Sequence, residues 1–138
     1  MPKRPLPQAT PETAEFWAGA QRGELRIQRC KSCRTAYFFP RPFCPNCSSR
    51  DVEWFTASGR GRLYSYVIVH RGAMGFQDAV PYVIAVVELE EGPRMMTNII
   101  GVEPIPEKLP IDLPVEVTWE KQDDEITLAL FRPAGGAL

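Results

Sequence analysis

Residues 30–47 read CKSCRTAYFFPRPFCPNC, and this stretch holds all four cysteines of the 138-residue chain. They form two Cys-x-x-Cys pairs, Cys30/Cys33 and Cys44/Cys47, with ten residues between the inner members. Each pair sets two sulfurs on one tight knuckle, and two facing knuckles complete a tetrahedral shell of thiolates. The spacing is shorter than the 15–20 residues of many two-knuckle sites, yet long enough for a hairpin return. The pattern predicts that Cys30, Cys33, Cys44 and Cys47 bind one metal ion. Zinc in a structural role is expected, because a catalytic zinc keeps an open position and four thiolates close the shell. Iron at the same cysteines is one rival and would make an electron-transfer centre, recognisable by colour. Two disulfides are the other, and they suit oxidising compartments.

Glycine commonly follows the second cysteine of such a knuckle, where a left-handed turn brings backbone N–H groups to the sulfur. Arg34 and Ser48 stand there in this chain. That departure bears on the turn geometry and leaves the ligand set intact. Between the knuckles lie Tyr37, Phe38, Phe39 and Phe43, with Pro40 and Pro42 stiffening the backbone. Such a loop either packs on the rest of the chain or docks on a partner.

Upstream, ELRIQRC (24–30) alternates and reads as a strand. Thr10 followed by Pro11 predicts a helix start, and Gly23 a stop. Phe16, Trp17 and Ala20 make a short apolar stripe on a helix too short to stand alone. Residues 1–10 are rich in proline and polar groups and are expected to be poorly ordered. The N-terminal sequence lacks the apolar core of a signal peptide. No apolar run approaches the ~20 residues that span a bilayer. A cytoplasmic protein with no membrane partner is expected.

Downstream of Gly59 and Gly61 the pattern is all strand: 62–70, 82–90, 94–101, 115–120 and 126–131. YVIAVV at the start of the second reads as covered on both faces. Five strands, with a proline-rich connector before the fourth, fit an OB barrel, with an SH3-like barrel or a small sandwich as alternatives. The expected organisation is mainly β: a tail and short helix over 1–23, a four-cysteine zinc ribbon over 24–56, and a five-stranded OB-fold domain over 57–138.

Charge is unevenly spread. Residues 1–71 carry twelve Lys/Arg against five Asp/Glu, and residues 72–138 four against twelve. A basic front half suits phosphate or an acidic protein surface. His70, the single histidine, stands beside Arg71 and a flexible GAMGF segment, and no nucleophile–base arrangement accompanies it. GRGR (59–62) lacks the ending of a phosphate-binding P-loop, although Arg60 and Arg62 could meet phosphates at the barrel entry.

In combination, AEFWAGAQRGELRIQRC, the knuckles CKSC and CPNC, GRGRLYSYVIVHR, PYVIAVVELEEGPRMMTNIIG and VEVTWEKQDDEITLALFRP resemble one family. It is the thiolase-associated, acyl-CoA-associated OB-fold family with a rubredoxin-like zinc ribbon, catalogued as domain of unknown function number thirty-five. The resemblance covers about residues 14–133. It implies a non-catalytic accessory or scaffold subunit in a hetero-oligomer with a thiolase-like protein, including thiolase-fold aldolases of steroid side-chain breakdown. It also implies proximity to acyl-CoA. The four cysteines carry over as metal ligands. Arg60, Arg62, His70, Arg71 and Phe76 are candidate contacts for coenzyme A or acyl-CoA at the partner interface. Phe16, Trp17, Tyr37, Phe38, Phe39 and Phe43 are candidate docking residues. The alternative function is a nucleic-acid-binding zinc-ribbon/OB module. The pI near 5.9 and the acidic barrel half argue against it.

Overall fold

The structure is a computed structural model that describes residues 5–134. Residues 1–4, part of the expected unordered tail, lie outside the described residues. Helix α1 spans Ala14–Gln21, three residues later than Thr10–Pro11 predicts. Thr13 donates its N–H to the Thr10 carbonyl at 3.0 Å, and the two side chains bond each other at 3.0 Å. Pro11 therefore sits inside a turn that precedes the helix. Gly23, at φ +77°, ends it as expected.

Three short strands follow: β1 (Arg26–Cys30), β2 (Ala36–Tyr37) and β3 (Val52–Thr56), antiparallel in the order β2-β1-β3. They form the ribbon that carries the knuckles. Five further strands, β4 (Arg60–Val69), β5 (Tyr82–Leu89), β6 (Arg94–Ile99), β7 (Pro114–Lys121) and β8 (Thr127–Pro133), close into a barrel in the order β4-β5-β6-β8-β7. The expected OB order is what forms. The proline-rich connector before β7 contains a single 3-10 turn, Pro106–Lys108.

Gly61 explains why GRG stands at the barrel entry. It pairs with Leu89 of β5 on one side and Val115 of β7 on the other. A Cβ there would collide with the Glu88 carbonyl, so only glycine lets the three strands meet.

Leu63, Val83, Val87, Val115 and Phe131 fill the barrel, and the same apolar cluster takes in Phe16 of α1 and Leu25 and Ile27 of the ribbon. Ribbon and barrel thus share one core, which spares the ribbon from building its own. One expectation is corrected in β5. Val83, Ala85, Val87 and Leu89 point inward and are buried, but Tyr82, Ile84, Val86 and Glu88 point outward and are only partly covered. The strand is covered on one face, not two.

Candidate functional site

The four cysteine sulfurs lie within 4.8 Å of one another, Cys30 Sγ being 3.5 Å from Cys47 and Cys33 Sγ 3.6 Å from Cys44. A tetrahedral zinc with bonds of about 2.3 Å sets its sulfurs about 3.8 Å apart, so these side chains need only small shifts to seat the ion. Backbone N–H groups point at the shell: Cys33 N–H donates to Cys30 Sγ at 3.5 Å, Asn46 N–H to Cys44 Sγ at 3.3 Å, and Cys47 N–H to Cys44 Sγ at 3.4 Å.

The thiols are electrostatically unlike. The Thr35 hydroxyl and the Asn46 side-chain amide hold Cys33 down at about 5. Cys30 is lowered chiefly by the Cys33 backbone N–H. Cys47 has the Ser49 backbone to pull it down, yet the Cys30 sulfur and burial push it up to about 12. Four sulfurs this close cannot all ionise unless a cation joins them, and a divalent ion supplies that charge. Arg34 and Ser48 settle the turn question: both adopt left-handed backbone, at φ 68° and 65°. The knuckle geometry is kept without glycine, at a cost of roughly 1–2 kcal/mol per residue.

The loop between the knuckles is clamped rather than loose. Arg41 donates its backbone N–H to the buried Gln28 Oε1 at 2.8 Å and accepts the Tyr37 hydroxyl at its carbonyl at 2.9 Å. Burial raises the Tyr37 pKa. Phe38 reaches Phe16, with ring centroids 5.5 Å apart. Of the six expected docking residues, Phe16 and Tyr37 are therefore buried and offer no surface in this fold. Trp17 and Phe38 pack partly on the core, and Phe39 and Phe43 remain exposed at 50% and 41%. Phe16, Trp17, Phe38 and Phe39 line the seam between ribbon and barrel.

That seam encloses a groove of about 550 Å³, walled by Trp17, Phe38 and Phe39 on one side and by Met96, Leu128 and Leu130 on the other. It sits where the barrel is least closed, because β6 and β8 run parallel and register at a single pair, Ile99 with Phe131. Arg41 and Arg94 stand at its rim. The sequence reading did not place a cavity here. The available signal was Met96, an apolar residue on the outward phase of β6.

The five expected ligand contacts do not form one site. Arg60 pairs with Glu90 at 3.1 Å, and Arg62 with Glu88 at 2.7 Å and with Asp112, all at the start of β4. His70, Arg71 and Phe76 lie in the loop beyond its far end, where Phe76 packs on Tyr82 at 5.9 Å. Eight residues of strand separate Arg62 from His70, about 26 Å.

Two family models match the chain: "ChsH2, rubredoxin-like zinc ribbon domain" over residues 17–53 and "ChsH2, C-terminal OB-fold domain" over residues 54–120. A "DUF35 domain-containing scaffold protein" of Methanothermobacter thermautotrophicus is 34% identical over 83% of this chain and 86% of its own length. A "Probable enoyl-CoA hydratase alpha subunit" of Thermomonospora curvata is 40% identical over 95% of this chain. This chain spans only 40% of that relative's length. A "Benzoylsuccinyl-CoA thiolase subunit BbsA" of Geobacter metallireducens is 31% identical over 77% of this chain and 61% of its own length. Among solved structures, a chain of an "Ltp2-ChsH2(DUF35) aldolase" superposes with a TM-score of 0.81 at 40% identity, covering 94% of this chain and 99% of that one.

Proposed function

The chain belongs to the DUF35 family, and from that membership we propose that it is a non-catalytic accessory subunit of a thiolase-fold enzyme acting on acyl-CoA. The observation that carries the reading is the match to the solved aldolase chain, which covers nearly all of both chains. A small protein that matches a component of an assembly over its full fold has little of its own left to differ in role. The thiolase subunit among its relatives supports the class of partner.

In this role the metal would be zinc, held by Cys30, Cys33, Cys44 and Cys47, and its contribution is to fix the two knuckles. The knuckles fix the loop, and Gln28 and Tyr37 hold the loop's backbone so that Phe38 lies on Phe16. The result is a rigid wall to the apolar groove, which has the size of a small-ligand site. We place the acyl part of the substrate in this groove, with Arg41 as the cation nearest an anionic group. His70, Arg71 and Phe76 share one loop and stay as candidate contacts for coenzyme A; Arg60 and Arg62 already have carboxylate partners.

Paired arginines also weigh against nucleic acid as the partner. Arg60, Arg62, Arg94 and Arg132 on the barrel each meet Glu90, Glu88 or Glu116. Among the described residues they leave no row of open cations to follow a phosphate backbone.

Purification of the full chain from its producing cells tests the proposal. A colourless protein with one zinc per chain, bound in fixed ratio to a thiolase-fold protein, is expected. Adding the chain should raise that protein's solubility or its activity on acyl-CoA, while the chain alone turns over nothing. A chain that stays monomeric beside the thiolase-fold protein and leaves its activity unchanged refutes the reading.

A further inference from the structure

An OB barrel in water shows apolar side chains inward and polar ones outward along each strand. This barrel obeys the rule on β7, whose outward residues Glu116, Thr118 and Glu120 are polar, with Arg132 of β8 bonded to Glu116 at 3.1 Å. It breaks the rule on β4, β5 and β6. The register places Val67 beside Ile84 and Ile84 beside Asn98, then Ser65 beside Val86 and Val86 beside Met96. All six point outward, and four of them, Val67, Ile84, Val86 and Met96, are apolar. On β5 and β6 their neighbours Val83, Ala85, Val87, Met95, Thr97 and Ile99 are the buried set, and on β4 Ser65 and Val67 are exposed. An irregularity in β4 between Leu63 and Ser65 turns Tyr64 out as well. Val67 is 58% exposed and Met96 71% exposed.

We infer that this face of β4–β5–β6 is where the barrel docks on a different protein, one that presents an apolar surface flanked by carboxylates. The inference rests on the accessory-subunit reading and names the surface that reading requires. Two rows of outward residues across three strands make a patch about 7 Å by 10 Å between backbones. That is less than the ~800 Å² per partner of a stable interface, so the patch is the centre of a larger contact. It has room to grow on two sides. Met96 also lines the groove between ribbon and barrel, and the loop carrying Met74, 78% exposed, continues β4 beyond Val69.

Charge decides the occupant. One end of the patch is a ladder in which Arg62 and Arg94 both bond Glu88, Arg94 at 3.1 Å. Its other end leads to Arg71, and Arg41 stands where the patch meets the groove. Neither Arg71 nor Arg41 makes an ion pair among the described residues. A second copy docked about a two-fold axis through the patch would lay Arg71 of one copy against the ladder of the other, where Glu88 and Asp112 are already taken by Arg62 and Arg94 and offer no free carboxylate. A foreign surface with carboxylates opposite Arg41 and Arg71 answers both cations.

The test places a photoreactive benzoylphenylalanine at 67, 96 or 118 in the full chain, co-produced with the thiolase-fold protein it purifies with. Adducts are identified by mass spectrometry. Adducts to that protein from 67 and 96, and none from 118, are expected. Met96→Lys should weaken the complex at least tenfold with zinc content unchanged, and Thr118→Lys should not. If the complex forms but only position 118 crosslinks, or if Met96→Lys binds normally, the face is wrong while the accessory role stands. Adducts joining two copies of this chain overturn the foreign occupant. If no second protein is bound at all, both inferences fall.

Discussion

Replacing Arg34 or Ser48 by glycine should tighten zinc binding. Both residues follow the second cysteine of a knuckle, and both hold left-handed backbone, at φ 68° and 65°. That conformation costs a residue with a Cβ roughly 1–2 kcal/mol. Glycine removes the cost but brings more chain entropy to the unfolded state, which takes back about 0.5–1 kcal/mol. The net gain is about 0.5–1 kcal/mol per site and about twice that for the double variant. The knuckle turns are made when the metal is bound, so the gain belongs to metal binding as well as to folding. At 1.4 kcal/mol per factor of ten, each single variant should bind zinc roughly two- to five-fold tighter.

The side chains at these positions give the control. Both are exposed, so alanine keeps the strain while deleting the side chain. Competition of each variant with a chromophoric chelator at fixed pH measures the affinity. Arg34→Ala and Ser48→Ala should match the parent chain, and the glycine variants should exceed both. Glycine variants that bind no tighter than their alanine counterparts would refute the strain argument.

Three other outcomes follow from the same geometry. Zinc affinity should fall as the pH drops through the range where the thiolates gain protons, because binding displaces protons from the cysteines; chelation at neutral pH should likewise expose Phe38 to solvent, seen as a change in near-ultraviolet dichroism. Gly61→Ala should lower barrel stability by at least about 1 kcal/mol in urea unfolding, since its Cβ meets the Glu88 carbonyl. The Arg62 and Arg94 guanidiniums hold the Glu88 carboxyl below its ordinary range. Its contribution to stability is therefore complete above the ordinary glutamate pKa of about 4.3 and is lost as the pH falls through the lower folded value. Glu88→Gln should flatten that acid limb of the stability curve, and added salt should narrow the difference from the parent.

The barrel was legible because each strand carries its own period and its own stop. Gly59 and Gly61 open β4, the EGP turn separates β5 from β6, and the DDE turn separates β7 from β8. The four-cysteine cluster was legible for a different reason: thiolate chemistry leaves four cysteines in paired spacing few other uses. The helix start was misplaced because proline suits both the first position of a helix and the second of a turn, and the Thr10–Thr13 bonds choose the turn. The candidate contacts drawn from neighbouring sequence fall into two groups because a strand carries its residues apart. Arg62 and His70 are close in number and stand at opposite ends of β4.

The charge asymmetry needs a second count once the sulfurs are placed together. The formal tally treats every cysteine as neutral. A zinc ion with four thiolates would carry a net charge of −2, which lowers the positive count of the front half by two. Lys31 lies 3.9 Å from Asp51, and the Arg29 and Arg50 guanidiniums lie over the Phe55 and Phe43 rings at 3.9 Å and 6.0 Å. Part of the basic character of the front half is thus offset within the ribbon, by the charge of a thiolate-bound ion, by Asp51 and by the Phe55 and Phe43 rings. What is left to act on a partner is local: Arg41 at the groove and Arg71 past the end of β4. The apolar face between them, rather than the net charge of either half, is the feature with the specificity to choose a partner.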